Sequence, residues 1–207
     1  TNEIKDAIRA AGRDVDVVLV EIGGTVGDIE SMPFLEAIRQ FRLDAGRENV
    51  CYIHVTLVPY IGPSGEQKTK PTQHSVKLMS ENGVFPDILV CRTEEPLNAD
   101  IKRKIAQFCN VKPEHVISAP DVKSVYDVPL NFEKDNLSER ICNLLGLPMK
   151  KSDLSDWKKF VAKSKNGKDT VKIAVVGKYF TSGDFILSDV YISVLEAIKY
   201  SAYKLNL

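Results

Sequence analysis

This sequence of 207 residues has no excess of charge of either sign, because 28 lysines and arginines are balanced by 28 aspartates and glutamates. Proteins that bind nucleic acid or anionic membrane surfaces electrostatically carry a basic excess. The balance therefore argues against both kinds of partner. The sequence also lacks any apolar run that approaches the length of a membrane span, and its apolar content of 43% is ordinary for a globular chain.

The four cysteines lack the spacing of a metal site. Cys51, Cys91, Cys109 and Cys142 are scattered through apolar segments, with no C-x-x-C pair and no histidine cluster beside them. This pattern argues against a zinc site. It favours buried free thiols in a reducing compartment, so we expect a cytoplasmic protein. No cysteine or serine lies in a strand–turn–helix elbow with an adjacent base, so the sequence offers no catalytic nucleophile.

What the sequence does contain is an alternation of short apolar runs and segments with helical periodicity. Strand, helix and strand joined by short connections predict a parallel sheet in an α/β domain. Residues 150–169 are charged and lysine-rich, which is typical of a linker. A new apolar run and helical pattern then predict the start of a second α/β domain, cut short at residue 207. The predicted strands are 16–21, 51–58, 87–92, 115–119 and 171–176.

The first predicted strand ends at a candidate binding loop. The run Val17–Val20 is followed by Glu21, and the glycine-rich loop behind it carries Asp28 and Glu30. Ligands of open parallel sheets bind beyond the carboxyl ends of the strands, where carboxylates hold hard cations. The alternative is an acidic surface turn without function, since short glycine motifs are weak signals.

The longest loop, residues 59–71, contains a near match to a phosphate-binding motif. From Gly62 to Thr69 the sequence GPSGEQKT departs from the Walker A pattern only at Gln67, which stands where the second glycine belongs. That glycine lets the backbone wrap closely around a phosphate, so we reject this segment as a P-loop. Lys68 and Lys70 nevertheless precede a predicted helix, and helix N-termini attract anions. The alternatives are an anion site and a solvated basic loop.

Two long motifs resemble the CTP synthase family. VEIGGTVGDIESMPFLEAIRQ and SGEQKTKPTQHSV, together with FCNV, are similar to the synthetase (amidoligase) domain of that family, and the resemblance runs from Thr1 to about Pro148. VKIAVVGKY, residues 171–179, resembles the opening strand of its glutaminase domain. The resemblance implies a parallel-sheet, P-loop-NTPase-like (Rossmann-like) synthetase domain without its N-terminal part. It divides the chain into residues 1–149, a linker at 150–169, and a truncated amidotransferase domain at 170–207.

The resemblance also implies roles for particular residues, none of them a catalytic nucleophile. Glu21 matches a Mg²⁺ ligand, and Arg39 matches a position tied to feedback inhibition by CTP. Arg92, Asp121 and Val122 match contacts to ATP. The residues that match contacts to UTP and CTP are Asp28, Ile29, Glu30, Lys68, Thr69, Lys70, Pro71, Thr72, Gln73 and Lys104.

The function implied is the ATP-dependent amination of UTP to CTP. In this family ATP phosphorylates the uracil 4-oxygen, and ammonia released from glutamine displaces the phosphate. The resemblance implies Mg²⁺ and ATP as cofactors, a homotetramer, and glutamine and GTP as ligands of the glutaminase part. Two alternatives remain open at the level of sequence: another ATPase of the P-loop class, and a nucleotide-sensing scaffold that binds CTP without turnover.

Overall fold

The fold is known from a computed structural model that describes residues 1–149, 153–166, 169–178, 181–182, 185–186, 188–205 and 207. The chain divides into two compact units, Thr1–Lys150 and Lys151–Leu207. None of the helices in the described part of the chain is long and apolar enough to cross a membrane.

The first unit is built around a parallel sheet, as the sequence predicts. Its strands are β1 (Ile53–Leu57), β4 (Ile88–Thr93) and β5 (Val116–Pro120), and within the described residues they lie in the order β1-β4-β5. Both pairings are parallel, with Val55 opposite Val90 and Val90 opposite Ile117. A small antiparallel hairpin, β2 (Tyr60–Ile61) and β3 (Glu66–Gln67), follows β1.

Helices surround this sheet. The first unit contains α1 (Asn2–Ala11), α2 (Met32–Ala45), α3 (Lys70–Glu81), α4 (Ala99–Cys109), α5 (Val128–Lys134) and α6 (Leu137–Leu144). The second unit contains α7 (Ser155–Lys165) and α8 (Ile192–Leu205), with the two-residue strands β6 (Thr181–Ser182) and β7 (Phe185–Ile186) between them. In that unit the ring of Phe160 on α7 packs 4.9 Å from the ring of Tyr200 on α8.

The core lies on both faces of the sheet, because successive strand residues point to opposite sides. Leu89 and Cys91 pack with α3 and α4 through residues such as Val76 and Ile105. Ile88 and Val90 pack on the other face with side chains of α5 and α6. Two layers of helices therefore enclose β4, whose apolar run the sequence predicts as a buried strand.

Two predicted strands are wrong. Residues 16–21 form no strand, and Leu19 is 91% exposed. Residues 171–176 form none either, and Val176 is 98% exposed. An apolar run becomes a strand only where a neighbouring strand offers its N–H and C=O groups, and local periodicity does not report that neighbour. Tyr179, which belongs to the second resemblance, lies outside the described residues.

Candidate functional site

The candidate site lies at the edge of the sheet where β1, β4 and β5 end. Parallel strands bring their carboxyl ends to one edge, and the loops that follow therefore meet there. Two backbone hydrogen bonds hold these loops in place. Val58 N donates to the carbonyl of Arg92 at 2.8 Å, and Asp121 N donates to the carbonyl of Thr93 at 2.9 Å.

The loop after β1 is a hairpin rather than a phosphate loop. Gly62–Ser64 forms a 3₁₀ turn between β2 and β3, and Gly65 adopts a left-handed conformation with φ of 61°. This turn explains Gly65 of the near-Walker segment, since a residue with a Cβ rarely adopts such a φ. The rejection of this segment as a P-loop agrees with the hairpin observed there.

The start of α3 is held by buried polar side chains. Thr72 is fully buried, and its Oγ1 donates to the carbonyl of Leu57 at 2.9 Å and lies 2.9 Å from Thr56 Oγ1. Gln73 Nε2 donates to Thr69 Oγ1 at 3.0 Å. These bonds fix the helix start against β1. The first N–H groups of a helix have no intrahelical acceptors, so this fixed end presents free donors at the sheet edge.

Lysines surround this helix start. Lys68 Nζ forms an ion pair with Glu66 at 2.5 Å, and Lys70 Nζ lies 5.4 Å from the centre of the Phe108 ring. The hydrogen bond from Lys68, and next its charge, lower the pKa of Glu66, to which the charge of Lys104 also contributes. Lys68 and Lys104 thus both act on Glu66, and Lys70 contacts Phe108 on the helix that carries Lys104.

Two residues of this region were not predicted from the sequence. Phe108 recurs with Ile101 and Ile105 at helical spacing, which predicts it on the buried face of α4, yet it is 60% exposed beside Lys70. Gln67 was considered only as the residue that breaks the Walker pattern. Its Nε2 donates to Thr93 Oγ1 at 3.0 Å and to the carbonyl of Glu95 at 2.6 Å. The proline and glycines around it could have indicated a hairpin, whereas these long-range partners leave no signal in the sequence.

The predicted ATP contacts lie at the ends of the next two strands. Arg92 donates from NH2 to Asp121 Oδ1 at 3.1 Å, and both side chains are largely exposed. Val122 follows Asp121 in the same loop and is partly buried. Exposed ion pairs of this kind contribute little to stability, so both groups are available to a ligand.

The glycine-rich loop at residues 22–30, here called the acidic loop, and the loop at residues 59–71, here called the lysine loop, are positioned by different elements. Gly24 and Gly27 have φ values of 84° and 104°, which a turn containing L-residues other than glycine rarely accommodates. Val26 packs beside Tyr52 and Met79, and a Cβ at Gly27 would lie 3.7 Å from Leu78. The acidic loop therefore rests against the last turn of α3, at the opposite end of that helix from Lys70.

Asp28, Ile29 and Glu30 lie at the end of this loop. Thr25 N donates to Asp28 Oδ2 at 3.3 Å, and Ser31 Oγ donates to the carbonyl of Asp28 at 2.8 Å. Ile29 is 88% exposed and Glu30 is also exposed. Ser31 directly precedes α2, with Pro33 in the first turn, and this pattern predicts a side-chain cap; its hydroxyl stabilises the acidic loop instead.

Glu21 lies in a different environment. It lines a cavity of about 400 Å³ whose other walls are apolar side chains of α1, α2 and residues 18–22. Within the residues that the structure describes, no group of three or more His, Cys, Asp or Glu side chains could hold a metal ion. Glu21 alone is one carboxylate, so these residues do not form a complete magnesium site.

Arg39 is paired within its own helix. Its Nε donates to Glu36 Oε2 at 2.7 Å and its NH2 to Glu36 Oε1 at 2.8 Å. This pairing, followed by a hydrogen bond from Gln40, lowers the pKa of Glu36 to about 2. A Cβ at Gly83 would approach Arg39 Cδ to 2.7 Å, so the glycine makes room for the arginine stem. The structure thus holds Arg39 on the side of α2 that faces the end of α3.

Comparison with known proteins gives a consistent family. Residues 1–147 match the family model described as CTP synthase N-terminus. The CTP synthase of Methanocaldococcus jannaschii is 52% identical over 204 residues, which is 99% of this chain and 37% of that protein. The CTP synthase of Clostridium beijerinckii is 54% identical over 208 residues, covering 100% of this chain and 38% of that protein. That of Thermococcus kodakarensis is 54% identical over 98% of this chain and 37% of its own length. The chain therefore spans a little over a third of the length of these relatives.

Proposed function

This chain belongs to the CTP synthase family, and from that premise we propose that it supplies the pyrimidine-nucleotide site and part of the ATP site of an enzyme that converts UTP to CTP. The observation that carries the proposal is the group of three lysines at the fixed N-terminus of α3, at the carboxyl edge of a parallel sheet. A nucleoside triphosphate brings several negative charges, and such a site can neutralise them.

The reaction we propose has two steps. The terminal phosphoryl group of ATP passes to the 4-oxygen of UTP, leaving ADP, and ammonia then attacks carbon 4 while phosphate leaves and a proton is lost. This chemistry depends mainly on positioning and charge neutralisation. The chain's own contribution is to hold the triphosphate of UTP through Lys68, Lys70, Lys104 and the first amides of α3.

We further propose that ATP binds beside Arg92, Asp121 and Val122. Their loops follow β4 and β5 at the same edge as the lysine loop, which supports placing the two nucleotides next to each other. The pair of Arg92 and Asp121 is largely exposed and uses one nitrogen of the guanidinium group, so Arg92 can also contact an ATP phosphate or base. Magnesium would neutralise phosphate charge, and Glu21 is our candidate for one of its ligands.

The acidic loop supports a role for CTP as inhibitor as well as product. UTP and CTP share a triphosphate but differ in the base, so we assign Asp28, Ile29 and Glu30 to recognition of CTP and Arg39 to its feedback effect. Carboxylates accept hydrogen bonds from the amino group that CTP has and UTP lacks. Glutamine as ammonia source, GTP as effector and a homotetrameric assembly are part of the same proposal and rest on the family.

The test compares two lysines in the full-length enzyme. We expect Lys70→Ala to raise the KM for UTP about tenfold or more, because it removes a charge-assisted contact worth more than about 1.4 kcal/mol. Lys68→Ala should have a smaller effect, since Lys68 is already paired with Glu66. Lys77→Ala is the control, because Lys77 is an exposed lysine of the same helix. An unchanged KM for UTP in Lys70→Ala would contradict the proposed site.

The scaffold alternative is separated from the enzyme by turnover. A nucleotide-sensing scaffold would bind CTP and still form no CTP from UTP, ATP and ammonium in its full-length form. Relatives at 52–54% identity across nearly the whole chain carry the name CTP synthase, which favours the enzyme.

A further inference from the structure

One side chain connects the lysine loop to the strand that carries Arg92. Gln67 ends β3 next to Lys68, and its Nε2 donates to Thr93 Oγ1 at 3.0 Å and to the carbonyl of Glu95 at 2.6 Å. Thr93 is 2% exposed and follows Arg92 at the end of β4. The two hydrogen bonds therefore fasten the hairpin to the loop between β4 and α4.

Thr93 also holds the loop that follows β5. Its carbonyl accepts a hydrogen bond from Asp121 N at 2.9 Å, while its hydroxyl accepts the one from Gln67. Asp121 in turn accepts from Arg92 at 3.1 Å. A movement of the hairpin that shifts Gln67 would thus strain a short, continuous series of hydrogen bonds that ends at Asp121. The hydrogen bond to Thr93 resists such a shift because the Thr93 hydroxyl belongs to a buried residue, and an unpaired buried group is costly.

We propose that Gln67 and Thr93 couple the binding of UTP at the lysine loop to the binding of ATP beside Arg92 and Asp121. The inference rests on the proposed function, because it assumes that these are the two nucleotide sites. Gln67 is a positioning residue: in this assignment it touches neither nucleotide. ATP that orders Asp121 also orders Thr93 and, through Gln67, the backbone that carries Lys68. Linkage requires that UTP favours ATP binding by the same factor.

The chemistry of Gln67 suits this role. A glycine at this position, as in a true Walker loop, would leave the hairpin unattached to β4. A glutamine amide has two N–H donors, and here Nε2 donates to two acceptors of one chain segment, the hydroxyl of Thr93 and the carbonyl of Glu95. The residue that rules out a P-loop is thus the one that ties this loop to its neighbour.

The test measures coupling in the full-length enzyme. The Kd of UTP is determined without and with a saturating non-hydrolysable ATP analogue, and the ratio of the two values is the coupling factor. Two variants remove the bond with little change of volume: Gln67→Met removes the donor and Thr93→Val the hydroxyl. Thr93→Ser keeps the hydroxyl. Gln107→Met is the control, because Gln107 is exposed on α4.

We expect a coupling factor of about fivefold or more in the unchanged enzyme, within the usual range for coupled sites. Gln67→Met and Thr93→Val should each bring it close to one, and the double variant should lower it no further. Thr93→Ser and Gln107→Met should retain it.

Several results would overturn the coupling. A coupling factor near one in the unchanged enzyme is the first such result. The second is that Gln67→Met and Thr93→Val weaken the binding of both nucleotides but keep the coupling factor, because a residue with a merely structural role would have that effect. An unchanged ratio in Gln67→Met, with UTP binding lost in Lys70→Ala, overturns the coupling alone. Unchanged UTP binding in Lys70→Ala removes the proposed function and the coupling with it.

Discussion

Glu30 is the residue whose replacement should affect inhibition by CTP and use of UTP to different extents. It is exposed at the end of the acidic loop, on a different segment from the lysines that would hold the triphosphate common to UTP and CTP. We predict that Glu30→Ala in the full-length enzyme raises the inhibition constant for CTP by more than it raises the KM for UTP. Steady-state kinetics at several CTP concentrations measure both constants. Glu3→Ala on α1 is the control, and equal losses for the two nucleotides would show that Glu30 does not discriminate between them.

His54 gives the stability of the chain a dependence on pH. It is 8% exposed on β1, and its Nε2 lies 2.8 Å from Ser75 Oγ on α3. Burial disfavours the imidazolium ion and lowers the pKa of His54 below its ordinary value of 6.5. The unfolded chain then binds the proton more readily than the folded chain. The stabilising effect is therefore complete above 6.5 and decreases as the pH falls from 6.5 towards the folded pKa.

We predict that the urea concentration at the unfolding midpoint decreases when the pH is lowered from about 7.5 to about 5.5. We also predict that this decrease is smaller in His54→Gln. His74→Gln serves as the control, because His74 is an exposed histidine on α3. A fall of the same size in His54→Gln and in the unchanged chain would show that other groups cause it.

Among the elements, β4 and β5 were predictable because most of their buried residues are apolar and helices pack against them. β1 was predicted from its apolar residues, yet Val55 and Leu57 are exposed and its buried side chains are His54 and Thr56. The runs at 16–21 and 171–176 are also largely apolar, yet they form no strand. The difference lies in the neighbours, which the sequence of a single segment does not contain. The Gln67–Thr93 contact and the exposed position of Phe108 also depend on segments far apart in the chain. The motifs identify candidate site residues, whose roles stay a prediction, whereas the contacts that fix these residues leave no signal in the sequence.

The start of α4 tests a prediction that depends only on neighbouring residues, namely the residue that caps the helix. Asn98 directly precedes the helical pattern of Ile101 and Ile105, which predicts it as the N-cap, and Asn98 Oδ1 accepts a hydrogen bond from Ile101 N at 2.9 Å. We predict that Asn98→Ala lowers the free energy of unfolding by about 1 kcal/mol, because one amide of the first turn loses its acceptor. Asn98→Asp keeps an acceptor and should change stability little. Denaturant unfolding measures both variants, and equal losses in the two would contradict the role of the cap.

At the scale of the whole molecule, the chain spans 37–38% of the compared relatives, and its two units, Thr1–Lys150 and Lys151–Leu207, correspond only broadly to the three predicted segments. The division at 149 and 169 therefore stays a prediction. The near-Walker segment from Gly62 to Thr69 begins with a hairpin turn at Gly62–Ser64, so it is not a phosphate-binding loop. Binding of the UTP triphosphate, rather than complete catalysis, is what the described residues support.

We accordingly predict that a polypeptide of these 207 residues forms no CTP from UTP, ATP, Mg²⁺ and ammonium, because its near-Walker segment is a hairpin and offers no amide cradle for ATP. Chromatography of the nucleotides after incubation measures the product. The full-length enzyme is the positive control. Catalytic amounts of CTP from the polypeptide would mean that the ATP site has been misplaced.

The lysine loop itself is best tested by nuclear magnetic resonance, which detects weak as well as tight binding. The 207-residue chain, labelled with ¹⁵N, is titrated with UTP while the backbone amide shifts are recorded. We predict that the largest shifts occur at the amides of Lys68, Thr69, Lys70, Thr72 and Gln73, and that α1 is unaffected. Shifts that leave residues 68–73 unchanged while other segments respond, or no shifts at all at saturating UTP, would contradict the assignment of the triphosphate to the start of α3.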